Sequence, residues 1–436
     1  MVGMFRPRRF ASVALLGALA LGLAACSTVY PNTTFGHNSD YNASIDALWD
    51  KLLFLGTIVF VGVEVALIYV IFRYRRRPDS PQPKPVHGST TLEIAWTIIP
   101  ALVLIVVAIP TVKTIFRTQA KAPADALQVE AIGHQWWWEF RYPQYNIVTA
   151  NELYLPIGRT VSFQLKTVDV LHSFWIPAMG GKRDLVTNRI NYMWFTPDDS
   201  LPSMAVNGAC AEFCGTSHAN MRFRTYLVKL AEFEMWRKNQ ETEPAFTGVV
   251  PPPPPAAPAP VKGAKVAAKP DSAAAAVAPV VADRPPVWMF PADQIEAKFG
   301  YTIPKTPIPG DSVGTGALNG FDDALLANGD ATRGKNSAGV CLACHQFSTK
   351  IMPGFSPLAP NLAHIASRHT IGAGLYPNDA RHLARWIKNS GHMKPGSKMY
   401  PIGKGQMDVN TGKVSTMGMY TDAQIADIVA YLQVLK

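Results

Sequence analysis

Basic charge is not concentrated on any one globular segment of this sequence, although its formal net charge is +10 at pH 7. A nucleic-acid-binding protein would gather its lysines and arginines on one domain. Here the clearest basic clusters, at residues 6–9 and 73–77, lie beside apolar runs, where membrane topology signals occur. This distribution excludes a nucleic-acid partner.

Cysteine is also scarce, with five among 436 residues, so that each one can be considered separately. Large side chains are almost absent from residues 249–286, a Pro/Ala-rich stretch that cannot bury a core and is typical of an extended linker. Apolar residues nevertheless reach 48%, which indicates some membrane sequence. A chain of this length is expected to form two or more domains.

The first 25 residues combine a basic start, an apolar centre and small residues before a cleavage point, which predicts a secretory signal. The stretch LAAC, residues 23–26, resembles a bacterial lipoprotein box, so Cys26 is expected to be lipidated as the first mature residue. The alternative is ordinary cleavage with a spare cysteine, but a free thiol is a liability in an oxidising compartment.

Two apolar segments within residues 26–113, at about 50–72 and 92–112, are each long enough to span a bilayer. The basic stretch 73–77 between them marks the cytoplasmic side. The sequence therefore predicts a two-helix transmembrane hairpin that returns the rest of the chain to the outer side.

Three segments follow the hairpin. Residues 121–240 contain short β-prone runs between turn residues, which predicts an antiparallel sandwich or barrel. Residues 241–317 form the linker region, in which 287–317 has no assigned role. Residues 318–436 turn helical, and Thr421 is expected to cap the final helix. The expected fold is thus a membrane-anchored multidomain protein.

The sequence CLACH is a C-x-x-C-H haem-attachment motif. The thiols of Cys341 and Cys344 are expected to bind a haem covalently, with His345 as an axial ligand of its iron. A redox C-x-x-C pair that happens to precede a histidine is the alternative. The sixth iron position requires a donor from downstream, and HMKPGSKMY offers Met393 and Met399.

This downstream stretch resembles the Lys-Pro-Gly-x-x-Met loop of small class I cytochromes c, an all-α family in which the methionine binds iron. The resemblance selects Met399 and leaves Met393 as an ordinary loop residue. Four histidines are rival donors, each expected at the surface: His364, His369, His382 and His392.

The stretch NGACAEFCGTSHANM holds Cys210 and Cys214, followed by His218 and Met221. Zinc would accept two thiolates and an imidazole, but it has no use for a thioether. Thiolate, imidazole and a weak methionine together favour copper. His172, at a predicted strand end, is a candidate for the missing imidazole, although alone it would be a packed loop residue. A disulfide between the two cysteines is less favoured at this spacing but stays open.

Together, the hairpin, the β domain and both motifs resemble subunit II of the haem–copper oxidases, in the caa-type branch with a fused cytochrome c domain. In that family C-x-E-x-C-x-x-x-H-x-x-M binds a two-copper centre, copper A, in a cupredoxin fold. The resemblance implies bridging thiolates Cys210 and Cys214, imidazoles His172 and His218, axial Met221, and the backbone carbonyl of Glu212. It also implies a magnesium ion at the Glu212 side chain, at the interface with subunit I.

Two further stretches match the family. GHQWWWEF resembles the aromatic strand where electrons arrive, which makes Trp136 the solvent-facing receiving residue, while Trp137 and Trp138 are expected to pack the sandwich. Packing is also the alternative for Trp136. LEIAWTIIP resembles the start of the second membrane helix and places Glu93 at the mouth of a proton channel into subunit I. The alternative is a solvated acid that the helix dipole favours.

The resemblance implies that a reduced cytochrome c, or another reduced donor, passes electrons through haem c and copper A to subunit I, where oxygen is reduced to water and protons are pumped. The expected enzyme is a cytochrome-c oxidase, and the oxygen chemistry lies outside this chain. Partners would be subunits I and III. The location would be the bacterial inner membrane, multi-pass, with the copper and haem domains on the periplasmic face and the haem domain tethered near Trp136.

Three rival functions remain. A nitric oxide reductase could carry the same copper A domain, and its catalytic partner alone would distinguish it. A quinol oxidase subunit II has the same hairpin and fold but lacks the copper cysteines, so Cys210 and Cys214 argue against that function. A lipoprotein electron carrier without an oxidase partner needs no acids near its membrane helices, so Glu64 and Glu93 oppose that reading.

Overall fold

The structure is a computed structural model. It describes residues 33–78, 88–244, 288–291, 321–349 and 358–436, together with positions 17, 82 and 85. The predicted signal segment apart from position 17, Cys26 and the Pro/Ala-rich stretch 249–286 lie outside the described residues.

The N-terminal part is a hairpin of two contacting helices, α1 (Asp40–Arg73) and α2 (Thr90–Thr118). Both are long and apolar enough to cross a membrane. Helix α1 begins ten residues before the predicted span, because the Ser39 hydroxyl caps it by accepting the Asn42 N–H at 3.0 Å. The helices therefore extend beyond the apolar runs that predicted them.

The β domain sits at the end of the hairpin where α1 begins and α2 ends. The Ser39 hydroxyl donates to the Met179 carbonyl at 2.6 Å, and the Trp194 indole donates to the Ala120 carbonyl at 2.7 Å. The basic stretch 73–77 lies at the opposite end of the helices. The hairpin thus brings both of its outer ends to the β domain.

Ten strands build this domain: β1 (Leu127–His134), β2 (Trp137–Tyr142), β3 (Ile147–Ala150), β4 (Glu152–Pro156), β5 (Val161–Thr167), β6 (His172–Trp175), β7 (Arg183–Leu185), β8 (Asn191–Phe195), β9 (Met204–Cys210) and β10 (Arg222–Val228). They form two sheets, ordered β3-β2-β1-β5-β8 and β4-β10-β9-β6-β7. The predicted sandwich or barrel is confirmed, but its strands are not all antiparallel, because the pairs β1–β5 and β4–β10 are parallel. The chain changes sheets five times between β3 and β9, which places non-consecutive strands side by side.

Aromatic side chains fill the space between the sheets. The rings of Phe140 and Phe174 each lie 5.2 Å from the ring of Phe223, and all three are buried. Burying such rings is the main source of stability in a sandwich of this size. Helix α3 (Leu230–Glu241) closes one end by packing its Trp236 ring on Tyr154 at 4.6 Å.

The C-terminal domain is mainly helical. Its regular elements are α4 (Ala331–Ser337), β11 (Thr370–Ile371), β12 (Tyr376–Pro377), α5 (Ala380–Met393), β13 (Met407–Asp408), β14 (Lys413–Val414) and α6 (Asp422–Leu432). Thr421 caps α6 through a reciprocal pair of bonds with Gln424, which confirms the predicted helix start. Helices α4 and α6 cross so closely at Gly334 that a Cβ on this residue would lie 1.9 Å from the Asp427 carbonyl oxygen.

Residues 288–291, in the segment with no assigned role, attach to the β domain. The Phe290 ring is buried 5.1 Å from that of Tyr226, and Trp288 lies edge-on to Tyr154 at 6.4 Å. This part of the predicted linker region is therefore an anchor on the sandwich.

Candidate functional site

Two buried thiols face each other where β9 ends. The Sγ atoms of Cys210 and Cys214 lie 3.7 Å apart. Each thiol has a histidine beside it: His172 Nδ1 lies 3.8 Å from the Cys210 sulfur, and His218 Nδ1 lies 3.6 Å from the Cys214 sulfur. Met221 Sδ lies 3.8 Å from the Cys214 sulfur. Five predicted side chains thus converge on one site.

The strand register explains why His172 reaches residues so distant in sequence. Strand β6 pairs with β9, with Phe174 opposite Cys210, so the start of β6 lies beside the end of β9. The loop after β9 then folds back, and the Cys210 N–H donates to the Met221 carbonyl at 2.9 Å. The carbonyl oxygen of Glu212 lies 3.2 Å from the Cys210 sulfur, so the sixth predicted ligand is also present.

Asp169 holds His172 from behind. The His172 Nε2–H donates to the Asp169 carboxylate at 2.8 Å, which leaves Nδ1 directed toward the thiols. A carboxylate in this position is the usual way to fix the tautomer and orientation of a metal-binding histidine. Asp169 is not among the residues predicted from the sequence, although its position three residues before His172 is a usable signal.

The site favours a thiolate. A hydrogen bond shared with Cys214 holds the pKa of Cys210 well below its usual range, against burial and with help from His172. Burial lowers the pKa of His172, but its bonds to Asp169 and Cys210 outweigh burial and raise it. Metal binding to such a set releases protons, because thiolate and neutral imidazole are the ligating forms.

The donor set fits copper better than its two rivals. A sulfur–sulfur distance of 3.7 Å is far beyond the ~2.05 Å of a disulfide, so the cysteines are not paired here. Zinc would be satisfied by four donors and would leave the buried Met221 thioether without a role. Two thiols, two imidazoles, a thioether and a carbonyl suit a soft, redox-active copper centre.

Gly133 leaves the room that His172 needs. A Cβ at this position would lie 2.6 Å from His172 Cδ2 and 3.2 Å from Leu185 Cδ2. We expect Gly133→Ala to displace the imidazole, to lower the copper content of the purified protein, and to destabilise the domain by about 1–3 kcal/mol. Metal analysis and thermal unfolding would measure both effects. Gly339→Ala is the control, because nothing lies within 4 Å of its added carbon, and equal losses in both variants would contradict the explanation.

The aromatic strand lies directly on the loop that carries the cysteines. The Trp136 indole and the Gln135 amide both donate to the Cys214 carbonyl, at 2.9 and 2.8 Å. Trp137 and Trp138 are buried, as the packing prediction required. Trp136 is half-buried rather than solvent-facing, because residues 394–399 of the C-terminal domain cover its ring.

The haem motif occupies a short helical turn in the C-terminal domain. The His345 N–H donates to the Cys341 carbonyl at 2.8 Å, and the described thiols of Cys341 and Cys344 are free. The His345 Nδ1–H donates to the Pro360 carbonyl at 2.6 Å, which leaves Nε2 available as a ligand. Burial lowers the pKa of His345, so the imidazole is neutral. Free thiols and a neutral, oriented imidazole fit a covalently held haem.

The two candidate methionines differ in environment. Met393 ends α5 and is buried in the domain core, whereas Met399 lies half-buried outside that core. Of the rival histidines, His382 bonds to Asp379 at 2.8 Å. The surface prediction is wrong for His364, which is 1% exposed because its imidazole bonds to the Thr242 carbonyl at 2.7 Å.

Two further predicted residues are exposed to solvent. Glu93 is exposed in the first turn of α2, and the Glu212 side chain is exposed on the cysteine loop. Cys26 lies outside the described residues.

Three family models match the chain. They are the transmembrane domain of cytochrome c oxidase subunit II over residues 37–114, the periplasmic domain of the same subunit over 146–228, and cytochrome c over 331–436. Together they account for the hairpin, the β domain and the helical domain.

Curated relatives carry the same name. The chain is 29% identical to cytochrome c oxidase subunit 2 of Bacillus sp. (strain PS3), over 97% of this chain and 96% of the relative. It is 36% identical to that of Bacillus subtilis (strain 168), over 52% of this chain and 68% of the relative. The subunit of Alkalihalophilus pseudofirmus is 37% identical, over 45% of this chain and 59% of the relative.

Among solved structures, the periplasmic domain of subunit II of the Bradyrhizobium japonicum cytochrome oxidase matches 28% of this chain and 97% of that chain, at 28% identity and a TM-score of 0.26. The three matched domains follow one another along this chain, and a relative aligned over 97% of it is a cytochrome c oxidase subunit 2. The chain therefore belongs to the cytochrome c oxidase subunit II family, as a membrane-anchored subunit with a cytochrome c domain fused at its C-terminus.

Proposed function

We propose that this chain is the subunit through which electrons enter a proton-pumping terminal oxidase. A reduced cytochrome c or similar donor would give one electron at a time to the C-terminal domain, whose CLACH motif would hold haem c. The electron would pass to copper A, held by the β domain, and on to subunit I, which would reduce oxygen to water. The contact of residues 394–399 with Trp136, itself bonded to the Cys214 carbonyl, is the observation that carries this proposal.

The residues that would hold copper A are Cys210, Cys214, His172, His218 and Met221, with the Glu212 carbonyl. Copper held by these thiolates would supply a one-electron centre that reorganises little on reduction. The chain's own contribution is rigidity: Asp169 orients His172, and the burial of both cysteines excludes water from their sulfurs.

The proposed haem ligands are His345 and Met399, with thioether bonds from Cys341 and Cys344. Haem c would supply a one-electron carrier whose potential a methionine ligand raises. The Pro360 carbonyl orients His345 through Nδ1. Three rival donors already have another role, which supports Met399 as the ligand. Met393 packs in the domain core, and the imidazoles of His364 and His382 have hydrogen-bond partners.

Trp136 offers a direct test of the path. It links the cytochrome domain to the Cys214 carbonyl, so Trp136→Ala should slow haem-to-copper transfer by at least about tenfold through lost positioning, with metal and haem contents unchanged. Flash photoreduction of the purified oxidase would measure the rate. Trp175→Phe is the control, because it removes an indole N–H bonded to a carbonyl elsewhere in the same domain. Equal rates in the wild type and Trp136→Ala would exclude Trp136 from the path.

The whole assignment is tested on the complex purified from membranes. Two coppers sharing one unpaired electron in the EPR spectrum, covalent haem, and oxygen consumption would support it. Zinc at the cysteines would contradict the copper site. Turnover of nitric oxide without oxygen consumption would instead favour the reductase alternative.

The remaining parts of the proposal concern the surroundings. The β domain at the outer ends of the hairpin, opposite the basic stretch 73–77, supports a multi-pass subunit with both cofactor domains on the periplasmic side. We further propose lipidation at Cys26, proton uptake near Glu93, magnesium at Glu212, and assembly with subunits I and III.

A further inference from the structure

The cytochrome domain covers a continuous strip of the β domain. At one end, a Cβ on Gly396 would lie 3.1 Å from the Trp136 ring and 3.2 Å from Thr216. The ammonium of Lys394 donates to the Trp136 carbonyl, and it is 4% exposed. In the middle of the strip, Ala373 packs with Trp137 and Ala150 in a separate apolar cluster.

The turn that carries Ala373 is shaped for this contact. Gly372, Ala373 and Gly374 all have positive φ, at 66°, 69° and 74°. Such a turn costs strain at the alanine, which persists only where the surroundings fix it. Here the Gly372 carbonyl faces Lys394 at 3.5 Å, and Gly374 lies over the Phe223 backbone, where an added Cβ would be in ordinary contact at 3.6 Å.

At the far end of the strip, Glu152 of β4 receives the cytochrome domain. One of its carboxylate oxygens accepts the backbone N–H groups of His369 and Thr370 at 2.8 and 2.9 Å, and the Thr370 hydroxyl at 3.1 Å. The carboxylate is 1% exposed. Arg368 of the cytochrome domain is a positively charged neighbour of this carboxylate. Beside it, the His369 ring of the cytochrome domain lies 5.5 Å from the Tyr226 ring of the β domain.

These contacts are unusual for a surface that meets its partner only briefly. A buried carboxylate needs hydrogen bonds to its charged form, and three of the donors here come from the other domain. Backbone N–H groups cannot rotate away, so the carboxylate specifies one position of the 369–374 segment. The same segment ends at the turn that meets Lys394, beside Trp136.

We propose that the strip from Trp136 to Glu152 is a built docking surface for the chain's own cytochrome domain, and that Glu152 is its positioning residue. This inference rests on the proposed electron path only for its functional consequence. Glu152 acts from a distance: it holds residues 369–374, and these hold the 394–399 loop against Trp136.

The test uses the full-length subunit in its complex and two independent readouts. Hydrogen–deuterium exchange of the peptide containing His369 and Thr370 reports whether the carboxylate still protects those amides. Flash photoreduction reports electron transfer from reduced haem to oxidised copper A. In Glu152→Ala we expect exchange at these amides to rise, and transfer to slow, by at least about tenfold, because hydrogen bonds to a charged group are lost.

Glu152→Gln keeps an acceptor oxygen without the charge, so it should give intermediate values for both readouts. Glu130→Gln is the matched control: it removes a carboxylate of β1 that pairs with Lys166 at 2.6 Å within the β domain, and both readouts should stay within about twofold of wild type. Copper and haem spectra should be unchanged in all variants.

Unchanged exchange in Glu152→Ala would overturn the docking role. Faster exchange at residues 369–371 together with equal loss of protection throughout the β domain would also overturn it, since Glu152 would then merely stabilise its own domain. The exchange readout does not require either cofactor to work. Failure of the electron path with intact, Glu152-dependent protection would therefore refute the proposed function alone.

Discussion

Replacing Cys214 by serine should remove the copper A signal from the purified oxidase and lower its oxygen consumption with reduced cytochrome c by at least about hundredfold. Changes behind a metal ligand already lower metal affinity by about 10–100-fold, and this change removes a ligand itself. Cys214 is also central to the site: its sulfur lies 3.7 Å from Cys210, 3.6 Å from His218 and 3.8 Å from Met221. Cys210 has as many proposed donors around it, in Cys214, His172 and the Glu212 carbonyl, so the two thiols together contact every other donor of the site.

EPR spectroscopy and metal analysis of the wild-type and variant complexes would measure the loss. Ala219→Ser is a suitable control, because it adds a hydroxyl at an exposed position of the same loop without touching a donor. Haem content should stay constant in both variants. Retention of two coppers and of activity in Cys214→Ser would refute the bridging role.

The second large effect concerns the haem iron. Met399→Ala should leave haem attached through the two thioether bonds, but it should change the absorption spectrum and lower the potential, since methionine ligation raises it. Met393→Ala should leave the spectrum unchanged while destabilising the cytochrome domain by about 2–5 kcal/mol, because Met393 is 2% exposed and packs in the core.

This pair separates a ligand from a packing residue within the short stretch from Met393 to Met399. Optical titration would give the potentials, and thermal unfolding followed at the haem band would give the stabilities. A changed spectrum in Met393→Ala with a normal one in Met399→Ala would mean that the ligand assignment is reversed. Changes in both would point to a loop that cannot tolerate truncation anywhere.

Local patterns predicted the site well because its chemistry is local. Cys210, Cys214, His218 and Met221 occupy twelve consecutive residues, so their spacing alone brings four donors together. The fifth donor, His172, reaches the site only because β6 pairs with β9. Sequence periodicity does not reveal this pairing, and the resemblance to a known family was needed to assign His172 as a ligand. The hairpin was equally accessible, since long apolar runs have few alternatives to a membrane helix.

The contact between domains was beyond such reasoning. Glu152 and Thr370 are 218 residues apart, and a glutamate in a strand gives no sign of which backbone amides it will meet. His364 looked like a surface residue for the same reason, because its partner lies at the end of α3. Pairings of this kind depend on the relative position of folded units, which no short sequence pattern records.

The anchor at Trp288 and Phe290 alters the reach of the cytochrome domain. Between residue 244, shortly after α3, and Phe321 the chain has 76 residues. Between the anchor, which ends at Pro291, and Phe321 it has only 29. For an ideal flexible chain, closing the shorter loop costs about 0.9 kcal/mol less in entropy. A cytochrome domain that left its docked position would therefore be held within the reach of a 29-residue connection, because the anchor shortens the free length between the two domains.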